Sequence, residues 1–147
     1  MKKIKNIRPV INIFLSKRMV FLLTLGVITG LTACKQEEGF GGTSSVSGKV
    51  YVLDYNTELT DLMGQYYATD EDVFIMFGDD VVYADKTSTS FDGTYRFDNL
   101  KKGTYMVYAY SKDTTGNPDV DEFAVQQSFE ITSNRQDVVL PDITIVK

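Results

Sequence analysis

From Val46 to the end of the chain, apolar residues recur at every second position, and Gly, Asn, Asp and Pro interrupt them roughly every dozen residues. That period belongs to half-buried β-strands. It predicts strands in VSGKVYVLDY (46–55), DVFIMFG (72–78), DDVVYADKTSTSF (79–91, with a bend), GTYRFDNL (93–100), GTYMVYAYS (103–111), EFAVQQSFEI (122–131) and QDVVLPDITIVK (136–147). Alternation sets Val73, Ile75 and Phe77 against Phe74 and Met76, and Tyr105, Val107 and Ala109 against Met106, Tyr108 and Tyr110. Tyr95 and Phe97 turn inward. Only TELTDLMGQYY (57–67) hints at helix, one turn or two. About seven short strands in roughly 100 residues, without helices between them, predict an all-β, antiparallel Greek-key sandwich. Pro141 within the last strand predicts an edge position or a bulge, since proline gives no N–H to a ladder.

The turns between these strands have specific chemistry. Asp92-Gly93 is a tight-turn signal in which glycine supplies a positive φ. DNLKKG (98–103) is the next turn, with Gly103 able to take the left-handed conformation. Tyr105, two residues further, can return its hydroxyl to the loop backbone as a tyrosine corner does.

The first 33 residues have a different pattern. Lys2, Lys3, Lys5, Arg8, Lys17 and Arg18 precede an uncharged apolar run of 13 residues, Met19 to Leu31, and no acid occurs before Glu37. Spanning a bilayer takes about 20 such residues, so the run is short for a membrane helix and fits a secretory signal peptide. Leu31-Thr32-Ala33-Cys34 resembles the lipobox of bacterial lipoproteins. That resemblance implies diacylglycerol on the Cys34 sulfur, cleavage after Ala33 and acylation of the new amino terminus. Two or three acyl chains anchor a protein stably where one does not. A buried cysteine at the end of a plain membrane anchor is the bland alternative. A catalytic thiol lacks a histidine to activate it, because the chain has none. Residues 34–45, rich in Gly and Ser, read as a flexible tether. Glu37 and Glu38 behind Cys34 resemble the export signal of Bacteroidota lipoproteins, which implies an outer-membrane protein facing the cell exterior.

Charge narrows the partners. The six basic residues of the leader leave nine against twenty acidic ones from Cys34 onward, a net charge of −11. Such a surface repels phosphate backbones, which argues against nucleic acid. Cations, basic proteins and neutral glycans stay open. A single cysteine excludes an internal disulfide.

A second resemblance rests on Asp92, Gly93, Tyr95, Phe97, Asn99, Leu100, Gly103, Tyr105, Val107 and Ala109. Their spacing is similar to that of the carboxypeptidase regulatory-like domain, a transthyretin-like (prealbumin-like) sandwich. Gly48-Lys49-Val50 fits the opening of such domains, and DVFIMF fits their second strand. The resemblance implies an accessory, stalk or binding module rather than a reaction. The chain departs from the pattern between Asp54 and Asp72, where a short connection is replaced by a long loop.

Candidate sites are few. Acidic residues gather as Asp54, Glu58 and Asp61, as Asp70, Glu71 and Asp72, and as Asp113, Asp119, Asp121 and Glu122. Calcium takes several loop oxygens, so the last group is the candidate metal site, and a solvated acidic surface is its plain alternative. No other cofactor is expected. Tyr66 and Tyr67, with Tyr55 nearby, are candidates for a glycan or peptide, with one ring of the pair expected in the core and one at the surface. A carboxylate pair for glycoside hydrolysis needs a cleft that so small a sandwich rarely offers. Lys49 suits an isopeptide crosslink by position, but the last strand supplies no Asn. The expected function is non-enzymatic: a lipid-anchored envelope module that binds a protein or glycan. The alternative is a structural subunit of a surface fibre or envelope complex.

Overall fold

The computed structural model describes residues 37–115 and 119–147. The signal segment 1–33 and Cys34 lie outside the described residues. Those described contain no helix and form nine strands: β1 (Phe40–Tyr55), β2 (Leu62–Tyr67), β3 (Asp72–Phe77), β4 (Asp85–Ser88), β5 (Thr94–Leu100), β6 (Gly103–Lys112), β7 (Glu122–Ile131), β8 (Asp137–Val139) and β9 (Ile143–Val146). Two sheets pack face to face as a β-sandwich.

The five-stranded sheet is organised around β1. Val50 donates its N–H to Gly93 and accepts at its C=O from Ala68, so β5 and β2 follow one another along a single edge of β1. On the opposite edge β8 and then β9 run parallel to β1. The sheet is therefore mixed rather than wholly antiparallel. The four-stranded sheet has the order β4-β3-β6-β7 and is antiparallel throughout.

Alternation explains the core. Val46, Val50 and Val52 of β1, Val73 and Ile75 of β3, Tyr95, Phe97 and Leu100 of β5, and Tyr105, Val107 and Ala109 of β6 are buried between the sheets. Phe129 and Ile131 of β7 and Ile143 and Ile145 of β9 complete it. Each such aliphatic side chain contributes about 1.5–3 kcal/mol on leaving water.

Three further expectations need correction. Residues 40–45 are not tether but the start of β1. Ser44 and Ser45 are buried because the far end of the chain satisfies their polar atoms: the Ser44 hydroxyl donates to the Ser133 carbonyl (3.1 Å) and accepts from the Gln136 N–H (3.0 Å), while the Ser45 hydroxyl bonds the Asp137 carboxylate. The stretch 57–67 makes no helix; its second half is β2, which β1 holds in antiparallel register from Tyr51↔Tyr67. Of residues 79–91 only 85–88 form a strand. Pro141 stands at a sheet edge, as expected: it lies in the break that divides the expected last strand into β8 and β9, which pair with β1 alone.

The expected tyrosine corner is present and does more than close a loop. The Tyr105 hydroxyl donates to the Lys101 carbonyl (2.8 Å) and accepts from the Gly39 N–H (3.1 Å), and the Lys101 N–H returns to the Gly39 carbonyl (2.9 Å). Gly39 is thereby fixed to the β5–β6 turn.

Candidate functional site

The side of the four-stranded sheet that faces away from the core is built by the odd–even alternation of β3 and β6. With Val73, Ile75, Tyr105 and Val107 turned inward, Phe74, Met76, Met106, Tyr108 and Tyr110 must point outward. Register places Phe74 opposite Tyr108, and the two rings stack at 5.0 Å between centroids and 14° between planes. Tyr110 meets Phe74 edge-on at 5.6 Å and Tyr108 edge-on at 5.6 Å. Tyr83, from the β3–β4 loop, meets the other side of the cluster at 5.1 Å from Phe74. Such offset and edge-on contacts are each worth roughly 0.5–1.5 kcal/mol beyond burial.

The four rings divide the work. Tyr108 is only 7 % exposed, whereas Tyr83 is 49 % and Tyr110 43 % exposed. The inner pair holds the outer pair in place, leaving two tyrosine rings presented to solvent. Burial, with the neighbouring Tyr110 adding to it, pushes the Tyr108 phenol above its ordinary pKa.

Polar groups rim this surface. Lys86, opposite Phe74 on β4, bonds Asp72 at 2.6 Å, and Ser88 donates to the same carboxylate at 3.1 Å. The Lys86 ammonium holds Asp72 below the usual carboxylate range, and Asp72 holds Lys86 above the usual amine range. Gln126 and Ser128 of β7 stand opposite Tyr108 and Met106. At the Tyr110 end the surface dips into a recess of about 220 Å³ whose walls include Glu71, Asp72, Phe74, Tyr110, Lys112 and Glu122. Lys147 also lines it and is ion-paired with Glu71. A wider groove, about 400 Å³, lies between β4 and β5 and is lined mainly by charged and polar groups, Arg96 and Asp98 among them, which pair with each other at 2.8 Å.

The expected tyrosines lie elsewhere. Tyr66 and Tyr67 are both exposed, 47 % and 42 %, so neither is a core ring. They point to opposite faces of the five-stranded sheet: Tyr66 lies opposite buried Val52, and Tyr67 opposite Tyr51. Tyr67 is engaged on several sides. Tyr51 meets it edge-on at 5.3 Å, the Lys49 ammonium sits 4.7 Å over its ring, and its hydroxyl donates to Asp142 at 3.1 Å, which raises its pKa. Tyr55 closes the end of β1, its N–H bonded to the Lys147 carbonyl.

Lys49 also bonds Asp92, at 3.0 Å, on the outer face of its sheet. Asp92 collects further hydrogen bonds from the Ser90 hydroxyl (2.6 Å) and from the Thr94 hydroxyl (3.0 Å) and N–H (3.2 Å). Together these hold its carboxyl well below the usual range. Its role is to shape the turn that lets Gly93, at φ 80°, approach Val50.

The acidic groups disperse. Asp61 hydrogen-bonds within the Asn56–Asp61 turn, Glu71 pairs with Lys147 and Asp72 with Lys86. Asp113 accepts from the Thr115 N–H (3.0 Å) and hydroxyl (2.6 Å), and its own N–H bonds the Asp121 carbonyl. Asp119 and Asp121 lie in the connection that leads into β7, whose first residue is Glu122. Among the described residues no group of three or more His, Cys, Asp or Glu side chains is placed to hold a metal ion.

No protein-family model matches the chain. No curated protein matches it either. Among solved structures, it is similar to that of a proposed carbohydrate-binding protein from Pseudomonas aeruginosa, at 16 % identity and a TM-score of 0.44, over 74 % of this chain and 92 % of that one.

Proposed function

We propose that this protein is a lipid-anchored, non-enzymatic binding module of a bacterial cell envelope, of the Bacteroidota lipoprotein type, and that its binding surface is the outward face of the four-stranded sheet. The observation that carries the reading is the cluster of Phe74, Tyr83, Tyr108 and Tyr110 on that face. Two of its rings are held by the other two in open solvent. Large aromatic residues locked in place away from the core suit recognition, because few rotamers are left to lose on binding. The mechanism is display. Acyl chains on Cys34 hold the protein in the membrane, and the sandwich that follows presents its outward face to a ligand. Calcium has no part in this reading.

The fibre alternative is less well supported. Both edges of β1 are filled by β2, β5, β8 and β9 of the same chain, so the sheet needs no donor strand from a neighbour.

Four measurements test the reading. Intact mass of the membrane-extracted protein is expected to show a chain beginning at Cys34 with two or three acyl groups, and Cys34→Ala to release the protein from the membrane fraction. Protease shaving of intact cells is expected to remove the domain. Oxidative footprinting of tyrosines, on cells and on purified protein, is expected to show Tyr83 and Tyr110 protected in the envelope while Tyr66 is not. Equal reactivity of Tyr83 and Tyr110 in both states removes the binding face, and a membrane-bound Cys34→Ala variant removes the anchor.

A further inference from the structure

The aromatic face and the recess at its Tyr110 end share Phe74 and Tyr110 and form one continuous surface. We propose that this surface is a site for a neutral saccharide, with a sugar ring laid on Tyr110 and its hydroxyls turned into the recess. The inference rests on the binding-face reading above and names the ligand class. A pyranose has one face of C–H groups, slightly positive, which meets the negative face of an aromatic ring favourably, while its rim carries hydroxyls that need polar partners. The recess supplies both in its lining: rings at Tyr110 and Phe74, and carboxylate and ammonium groups at Glu122 and Lys112. A volume of about 220 Å³ is below the several hundred Å³ of drug-sized sites and fits a single sugar ring.

Charge separates this class from the others. The chain from Cys34 onward carries −11, yet here the acids Glu71, Asp72 and Glu122 are met by Lys86, Lys112 and Lys147, two of the three acids being in direct ion pairs. The patch is locally balanced within an acidic domain. A cation or basic peptide finds the carboxylates already compensated, and an anionic glycan meets the surrounding negative field. A peptide anchored by an apolar side chain favours a mostly apolar pocket, whereas five of the eight residues lining this recess are charged. A neutral, hydroxyl-rich ligand is what remains complementary.

The test uses the full chain purified in detergent, applied to an array of neutral, anionic and basic oligosaccharides and to an unstructured peptide library. Calorimetric titration then follows with the best neutral binder. Tyr110→Ala is expected to weaken binding at least tenfold and Glu122→Gln several-fold. Tyr110→Phe, which keeps the ring, should stay within about threefold, and Tyr66→Ala, on the other sheet, should bind as wild type. Circular dichroism and melting temperature check that each variant is folded. Neutral-glycan binding lost with Tyr110→Ala and kept with Tyr110→Phe supports the proposal. It is overturned if Tyr110→Ala binds the glycan unchanged, if no glycan binds, or if anionic glycans bind best. Peptides captured through Tyr110 would overturn the saccharide class while leaving the binding face standing. Unchanged footprints at Tyr83 and Tyr110 would remove that face itself.

Discussion

Tyr95 and Tyr105 are both fully buried tyrosines on neighbouring strands in sequence, 1 % and 0 % exposed, yet removing the hydroxyl from each has opposite consequences. The Tyr105 hydroxyl donates to Lys101 and accepts from the Gly39 N–H inside the protein. Tyr105→Phe loses the first bond, worth about 1 kcal/mol, and leaves the second group buried without its partner, which costs about 1–3 kcal/mol more. A net loss of about 2–4 kcal/mol follows. The Tyr95 hydroxyl is buried and has no hydrogen-bond partner among the described residues, and burial pushes its pKa far up. Tyr95→Phe removes a polar atom whose desolvation nothing repays, so stability should stay within about 0.5 kcal/mol or rise. Equilibrium urea unfolding of the chain from residue 34 onward measures both. With a slope of roughly 1–3 kcal/mol per molar, Tyr105→Phe should lower the midpoint by about 1–2 M and Tyr95→Phe should not lower it. A Tyr105→Phe midpoint equal to wild type refutes the structural role given to the corner, and equal losses in the two variants refute the orphan reading of Tyr95.

Three further predictions concern the five-stranded sheet. A methyl group on Gly48 would lie 2.4 Å from the Tyr95 hydroxyl, so Gly48→Ala should cost about 1–3 kcal/mol. Adding Tyr95→Phe should recover part of that loss, a coupling visible in a double-mutant cycle. Gly93 combines φ 80° with a Cβ position 2.8 Å from the Tyr67 Cβ and 3.0 Å from the Val50 carbonyl. Gly93→Ala should therefore lower stability by more than about 1 kcal/mol in thermal melts. Folding lowers the pKa of Asp92, so its contribution is complete above the unfolded carboxylate value of about 4 and is lost as pH falls toward the folded value. Asp92→Asn should make the decline of stability between about pH 4 and pH 2 shallower, and an unchanged acid limb would contradict the assignment.

The core strands were legible because one face of each is apolar and the other is not. Val73 and Ile75, Tyr95 and Phe97, and Tyr105, Val107 and Ala109 fall inward as their alternation requires. β2 left no such signal: Leu62, Met63, Tyr66 and Tyr67 are exposed, and the strand exists through its pairing with β1 rather than through a buried face. The start of β1 was hidden for a related reason. Gly41-Gly42-Thr43-Ser44-Ser45 has the composition of a linker, and its order depends on hydrogen bonds to residues about ninety positions away, which no local window contains. The aromatic face was half legible. The outward assignment of Phe74, Tyr108 and Tyr110 follows from period two, but the approach of Tyr83 to Phe74 depends on the path of the β3–β4 loop. The 54–72 stretch and the adjacent Tyr66-Tyr67 pair are conspicuous only in local composition, whereas four rings from three segments converge only in the folded chain.

A binding face on the four-stranded sheet is tested most directly by mapping which tyrosines respond to ligand. The chain has nine tyrosines and no tryptophan, so a ¹⁵N-tyrosine-labelled domain gives a spectrum of nine backbone signals that selective substitution can assign. Titrated with a neutral oligosaccharide mixture, it should show saturable shifts at Tyr83, Tyr108 and Tyr110, with Tyr51, Tyr66 and Tyr67 unmoved. Shifts centred on Tyr66 and Tyr67, with Tyr83 and Tyr110 silent, would contradict the assignment of function to this face.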